Sequence, residues 1–164
     1  MMIQKKTLLA ALLLSQSTVI AGDTVGVRHV GMELARDLAN EAVMHCREQG
    51  YQVSAVVVDR GANERATLRD DLAARFTMQL AEEKANIVIM GGIPSGELRK
   101  NREDIRPELN EVSGLLVLEG GLPIIAGGQR VGAIGVSGAP GGDKDAVCAQ
   151  AALDKFAERL EFAD

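Results

Sequence analysis

The sequence predicts an α+β domain, an antiparallel β-sheet flanked by α-helices. Two observations carry that expectation. Strand-forming runs come in neighbouring pairs joined by tight turns: residues 52–59 and 64–69 across Arg60-Gly-Ala-Asn63, then 123–126 and 131–137 across Gly127-Gly128. The predicted order, α-β-β-α-β-β-β-α, holds hairpins but no repeated β-α-β unit, which a doubly wound parallel sheet needs.

Residues 30–49 read as the first helix. At about 100° per residue, Leu34, Ala35, Leu38, Ala39, Ala42, Val43, His45 and Cys46 share one half of the wheel. Glu33, Arg36, Asp37, Asn40, Glu41, Arg47 and Glu48 fill the other half, joined by Met44. Gly50 ends the helix. After the first hairpin, Asp70 or Asp71 is expected to cap a helix over residues 72–90, whose inner face carries Leu72, Ala73, Phe76, Thr77, Leu80, Ala81 and Val88. Lys84 projects near the centre of that face. A buried ammonium requires a partner, and Asp59 and Asp71 are the natural candidates. Residues 91–95 break the helix, and residues 100–111 are charged and irregular. Strands are expected over 114–119, 123–126 and 131–137. A last helix is expected over 143–162, capped by Asp143, with Ala149, Ala152, Leu153, Phe156 and Leu160 inward. The assembled elements describe a profilin-like sandwich.

The chain has 164 residues, which suits one domain after an export signal. Lys5 and Lys6 precede an apolar run over residues 7–14, and Val19-Ile-Ala21 suits cleavage before Gly22. That reading makes residues 1–21 a Sec signal peptide and residues 22–164 a single periplasmic domain. The run is too short for stable membrane insertion. Losing two lysines leaves 16 of the 18 basic residues against 23 acidic ones, a net charge of −7. A surface of that sign does not suit nucleic acid or anionic lipid. Aromatics are 2% of the chain and Trp is absent, so ring stacking does not dominate ligand binding.

Val131-Gly-Ala-Ile-Gly-Val-Ser-Gly138, followed by Gly141-Gly-Asp-Lys-Asp145, is the most distinctive stretch. Gly132 and Gly135 remove side chains where another backbone or a ligand approaches closely. The glycine spacing is not the G-x-G-x-x-G of a dinucleotide site. Gly135-Val-Ser-Gly-Ala139 lacks the last glycine of a nucleophile elbow, and no Gly-Lys pair supports a P-loop. Ser137 therefore reads as a turn or polar wall residue.

Several stretches together resemble the GlcG/HbpS-like family, which includes the C-terminal domain of PduO-type proteins. They are Val56-Val-Val-Asp59, Arg69 with Asp71 and Ala73, Lys84-Ala85, Pro94-Ser95, Gly120-Gly-Leu-Pro123 and residues 131–145. The resemblance implies an antiparallel sheet with helices, homo-oligomeric assembly, and association with haem or related tetrapyrroles.

Three functions follow. The first is an exported, non-enzymatic haem-binding protein. A haem iron takes His, Met, Cys or Tyr, and the mature chain offers His29, His45, Met32, Met44, Met78, Met90, Cys46, Cys148 and Tyr51. His45 is the leading metal ligand, with Met44 beside it, and Lys84, Arg69, Asp71, Gly135 and Ser137 complete the candidate cofactor site. The second is an enzyme acting on a small carboxylate or carbonyl compound, in which Arg69 grips a carboxylate and Lys84 or an Asp of Asp59 and Asp71 moves a proton. The third is an oligomeric accessory or signalling-partner protein. Two histidines sixteen residues apart give no local chelate for a bare metal. Cys46 is assigned to the buried face of the first helix and Cys148 to the charged face of the last. That placement predicts two free thiols, Cys148 being the reactive one.

Overall fold

The structure, a computed structural model, describes residues 23–162. The signal-peptide reading of residues 1–21 lies outside the described residues. The elements are α1 (Met32–Glu48), β1 (Ser54–Asp59), β2 (Glu64–Arg69), α2 (Phe76–Gly91), α3 (Ser95–Asn101), α4 (Arg106–Asn110), β3 (Gly121–Ala126), β4 (Gln129–Ser137), α5 (Gly142–Lys155) and α6 (Ala157–Glu161). The four strands form one sheet in the order β2-β1-β4-β3, with every neighbouring pair antiparallel. This is the α+β architecture the hairpins predict.

Alternation along the strands sends side chains to two different helical layers. Ala55 and Val57 of β1, with Ile134 and Val136 of β4, join Leu38, Ala42 and Val43 of α1 and Ala149 and Ala152 of α5 in the larger core. Val56, Val58 and Ala133 point the other way and meet Ala81, Ala85 and Val88 of α2. All six residues of β1 are buried, as a central strand covered on both faces requires.

Three boundaries differ from expectation, each for a physical reason. Residues 114–119 form no strand. Their apolar side chains, Leu115 and Val117, pack with Ile87 and Leu98 against α2 and α3, and their backbone bonds to neighbouring elements instead of a ladder. Leu116 N–H donates to the Glu83 carbonyl, and Val117 N–H to Asn110 Oδ1. A short apolar run fits a buried coil segment as well as a strand. The second long helix starts at Phe76 rather than residue 72, without a side-chain cap. Asp70 instead receives the Asp71 N–H and holds the turn before the helix. The last helix is two pieces that part at Phe156, and α5 likewise lacks a side-chain cap from Asp143.

The expectation for the cysteines is overturned. Cys46 and Cys148 are joined in a disulfide, with Cα atoms 5.5 Å apart. Treating residues 143–162 as one helix tilted the assumed inner arc toward Leu153, Phe156 and Leu160. Once the helix ends at Lys155, the buried stripe of α5 becomes Asp145, Cys148, Ala149 and Ala152, spaced i, i+3, i+4, i+7. Cys148 then faces α1 from within the larger core.

Candidate functional site

Among the described residues, Lys84 is the largest fully buried side chain, only 1% exposed. Its Nζ donates to Asp145 Oδ2 at 2.7 Å and to the Val136 carbonyl at 3.0 Å. Asp145 accepts a further bond from the Ala139 N–H at 3.0 Å. The pair ties α2 on one face to the first turn of α5 on the other, around the end of β4. Burial pushes the Lys84 ammonium below its usual range, opposed by attraction to Asp145 and by the bond to it. Burial likewise pushes the Asp145 carboxyl upward against the pull of Lys84. Neither Asp59 nor Asp71 is the partner. Asp145 lies 61 residues further along the chain, which helical periodicity does not reveal.

Of the other candidate residues, Gly135 and Ser137 flank Val136, whose carbonyl Lys84 holds, and the rest lie elsewhere. Gly135 faces α2, where an added Cβ would collide with the Ala81 carbonyl oxygen. The space it leaves is taken by helix backbone. Ser137 is buried opposite Ser54, whose hydroxyl bonds to Thr77 Oγ1 at 2.8 Å. Arg69 donates to the Ala73 carbonyl at 2.9 Å. Asp71 is almost fully exposed, 3.9 Å from Arg47. Asp59 sits at the far end of β1. Burial pushes its carboxyl upward, but N–H groups of Asn63 and Gly61 outweigh that and hold it below the usual range. Met44 is 37% exposed on α1 and His45 is half-buried beside it, both on the helix that packs against the sheet face opposite α2. The residues proposed for acid–base work, Asp59, Arg69, Asp71 and Lys84, thus do not converge. Among the described residues, no group of three or more His, Cys, Asp or Glu is placed to hold a metal ion. No described helix is long and apolar enough to cross a membrane.

A surface groove lies elsewhere. A helix about 10 Å wide cannot cover four strands spaced about 4.8 Å apart. Because α2 packs mainly over β4, β1 and β3, it covers the same face of β2 only in part. The resulting groove, about 440 Å³, is lined by Val56, Glu64, Thr67, Arg75, Phe76, Met78, Gln79 and Glu82. That volume lies within the range of about 300–1,000 Å³ usual for small-molecule sites. Phe76 is 60% exposed, and the Arg75 guanidinium stands 4.4 Å from its ring centroid. Thr67 Oγ1 is buried in the groove with no hydrogen-bond partner. The unpaired hydroxyl and the exposed ring face the same groove. Sequence reading missed Thr67, Arg75 and Gln79 as site residues. In the sequence Phe76 reads as part of the inner face of its helix, and Met78 as one of several possible iron ligands.

Comparison with known proteins places this architecture. The structure is similar to the crystal structure of HbpS, with 37% identity and a TM-score of 0.76, over 85% of this chain and 98% of that one. It is also similar to the crystal structure of a PduOC–heme complex, with 22% identity and a TM-score of 0.68, over 77% and 94% of the two chains. That second likeness bears on the fold alone. In sequence, the chain is 32% identical to Protein GlcG of Escherichia coli K12 across 91 residues, 56% of this chain and 68% of that protein. Residues 30–154 match the model of the family described as haem degrading protein HbpS-like. The chain belongs to the HbpS-like family.

Proposed function

We propose that the protein binds haem or a related tetrapyrrole in the groove between β2 and α2. The carrying observation is the chemistry gathered there, in a chain of a haem-related family. Val56, Phe76 and the methylenes of Gln79 offer apolar contact, Arg75 offers a cation for a propionate, and Thr67 offers an unused hydroxyl. Glu64 and Glu82 are the anions in the same groove, and they orient a dianionic ligand with its carboxylates toward Arg75. Haem, when bound, supplies an iron whose reactivity depends on its ligand, burial and nearby hydrogen bonds. The chain's own residues hold the macrocycle, screen one face from water and place the propionate.

The test is titration with hemin and, separately, with iron-free protoporphyrin. A shifted Soret band, weakened in Arg75→Glu and Phe76→Asp, is the expected result. A spectrum identical to that of free hemin ends the proposal. Non-enzymatic binding is favoured over turnover of a small carboxylate because Asp59, Arg69, Asp71 and Lys84 do not meet around one substrate.

We also propose that residues 22–164 work in the periplasm as a homo-oligomer. The Cys46–Cys148 bridge supports export, since disulfides persist in oxidising compartments. The edge strands β2 and β3 each have one side without a strand partner, available to another copy. A reporter active only after export, fused behind residues 1–30, tests the first statement, and sedimentation of the purified protein tests the second.

A further inference from the structure

We propose that two copies of the chain join edge to edge through β2, antiparallel and centred on Thr67, an inference that rests on the homo-oligomer reading above and names its contact. The sheet ends in β2 on one side and β3 on the other, and the structure separates the two edges. On β3, Pro123 has no N–H to offer a new neighbour. β2 contains no proline. Just beyond it, the Asp70 N–H bonds inward to the Val53 carbonyl. Backbone groups alternate in direction along an antiparallel strand, so Ala66 and Leu68 also turn theirs toward β1, while Thr67 and Arg69 turn theirs to the open edge.

The side chains of β2 complement themselves about that centre. Thr67 lies opposite Val56 and Arg69 opposite Ser54, which places both on the α2 face. A bulge at Arg65 brings Glu64 opposite Val58 and onto the same face. A two-fold axis through Thr67, perpendicular to the sheet, keeps like faces together. Thr67 then meets the partner's Thr67, and Ala66 meets the partner's Leu68 on the α1 face. With the same bulge in both strands, Glu64 meets the partner's Arg69, and symmetry makes that ion pair twice. Opposite charges and Thr–Thr pairs both stabilise neighbouring strands. The buried Thr67 hydroxyl has no partner among the described residues. A change of its χ1 rotamer lets one copy's hydroxyl donate to the other's, and the second O–H still serves the groove. Arg69 gives one N–H to the Ala73 carbonyl and keeps the rest of its guanidinium for a carboxylate. A slip of two residues parts each Glu64 from its Arg69, so the charges that guard this edge against other strands admit its own copy.

Sedimentation equilibrium and thiol cross-linking test this, with circular dichroism confirming that each variant is folded. The wild type should sediment as a dimer or a multiple of two. Glu64→Arg and Arg69→Glu each set like charges opposite one another and should weaken the association by about tenfold or more. The two changes together should restore it. Glu64 and Arg69 of one copy stand roughly 16 Å apart at 3.3 Å per residue, so such rescue acts between copies. Thr67→Cys should give a cross-linked dimer under a mild oxidant, and Ile125→Cys on β3 should not. Association unchanged by either single substitution, or not restored by the pair, overturns this contact and leaves the homo-oligomer standing. So does cross-linking through Ile125→Cys in place of Thr67→Cys. A wild type that sediments as a monomer overturns both readings.

Discussion

Replacing Lys84 by methionine removes a cation but leaves Asp145 behind, where water is excluded. An uncompensated buried charge costs about 3–5 kcal/mol, and urea unfolding should show Lys84→Met destabilised by that amount. Adding Asp145→Asn removes the stranded charge and keeps an oxygen for the Ala139 N–H. The double variant should therefore recover much of the loss; a double variant as unstable as the single one would show that packing, not charge, is at issue. Helical period alone places Lys84 on the inner face of its helix. Its partner is not legible, because Asp145 reaches it only when the first turn of α5 comes round the end of β4. Gly135 teaches the same lesson. A glycine in a strand announces close approach, but not whether a ligand or a helix does the approaching.

Between elements, a two-pronged ion pair joins α1 to the turn after β2. Arg47 holds Asp70 through two bonds of 2.8 Å, and this pairing with the guanidinium keeps the Asp70 carboxyl below the usual range. A carboxylate whose pKa is depressed by folding adds stability above its unfolded value and loses it as pH falls through the folded value. The stability gap between wild type and Asp70→Asn should thus be constant above about pH 5 and close below about pH 4. Urea midpoints measured across that range check it, and a gap that widens in acid would contradict it. The bridge between α1 and α5 acts on the unfolded chain as well, closing a loop whose ends lie 102 residues apart. Removing it by Cys46→Ala with Cys148→Ala should cost about 2–5 kcal/mol in thermal unfolding. The extent of α1 was readable to within two residues because its apolar stripe is unbroken. The bridge was not, because the unforeseen break at Phe156 shifts the buried stripe of α5 toward Asp145 and Cys148.

Across the whole molecule, a four-stranded sheet is clothed by two long helices on one side and one on the other. Paired hairpin runs make the sheet legible, since turn residues and strand propensity agree locally. The groove is not legible, because it is a shortfall in coverage rather than a motif, and no residue announces which strand a helix will leave bare. The disulfide has one more consequence, for a protein that meets proteases. Residues 102–104, between α3 and α4, are exposed and include Arg102. They lie between the two bridged cysteines in sequence, so trypsin cutting there produces fragments that cannot separate. On a gel without reductant the nicked protein should run as one band of full mass, and with reductant as two. The bridge turns a severed chain into a single covalent body whose two layers still share one sheet.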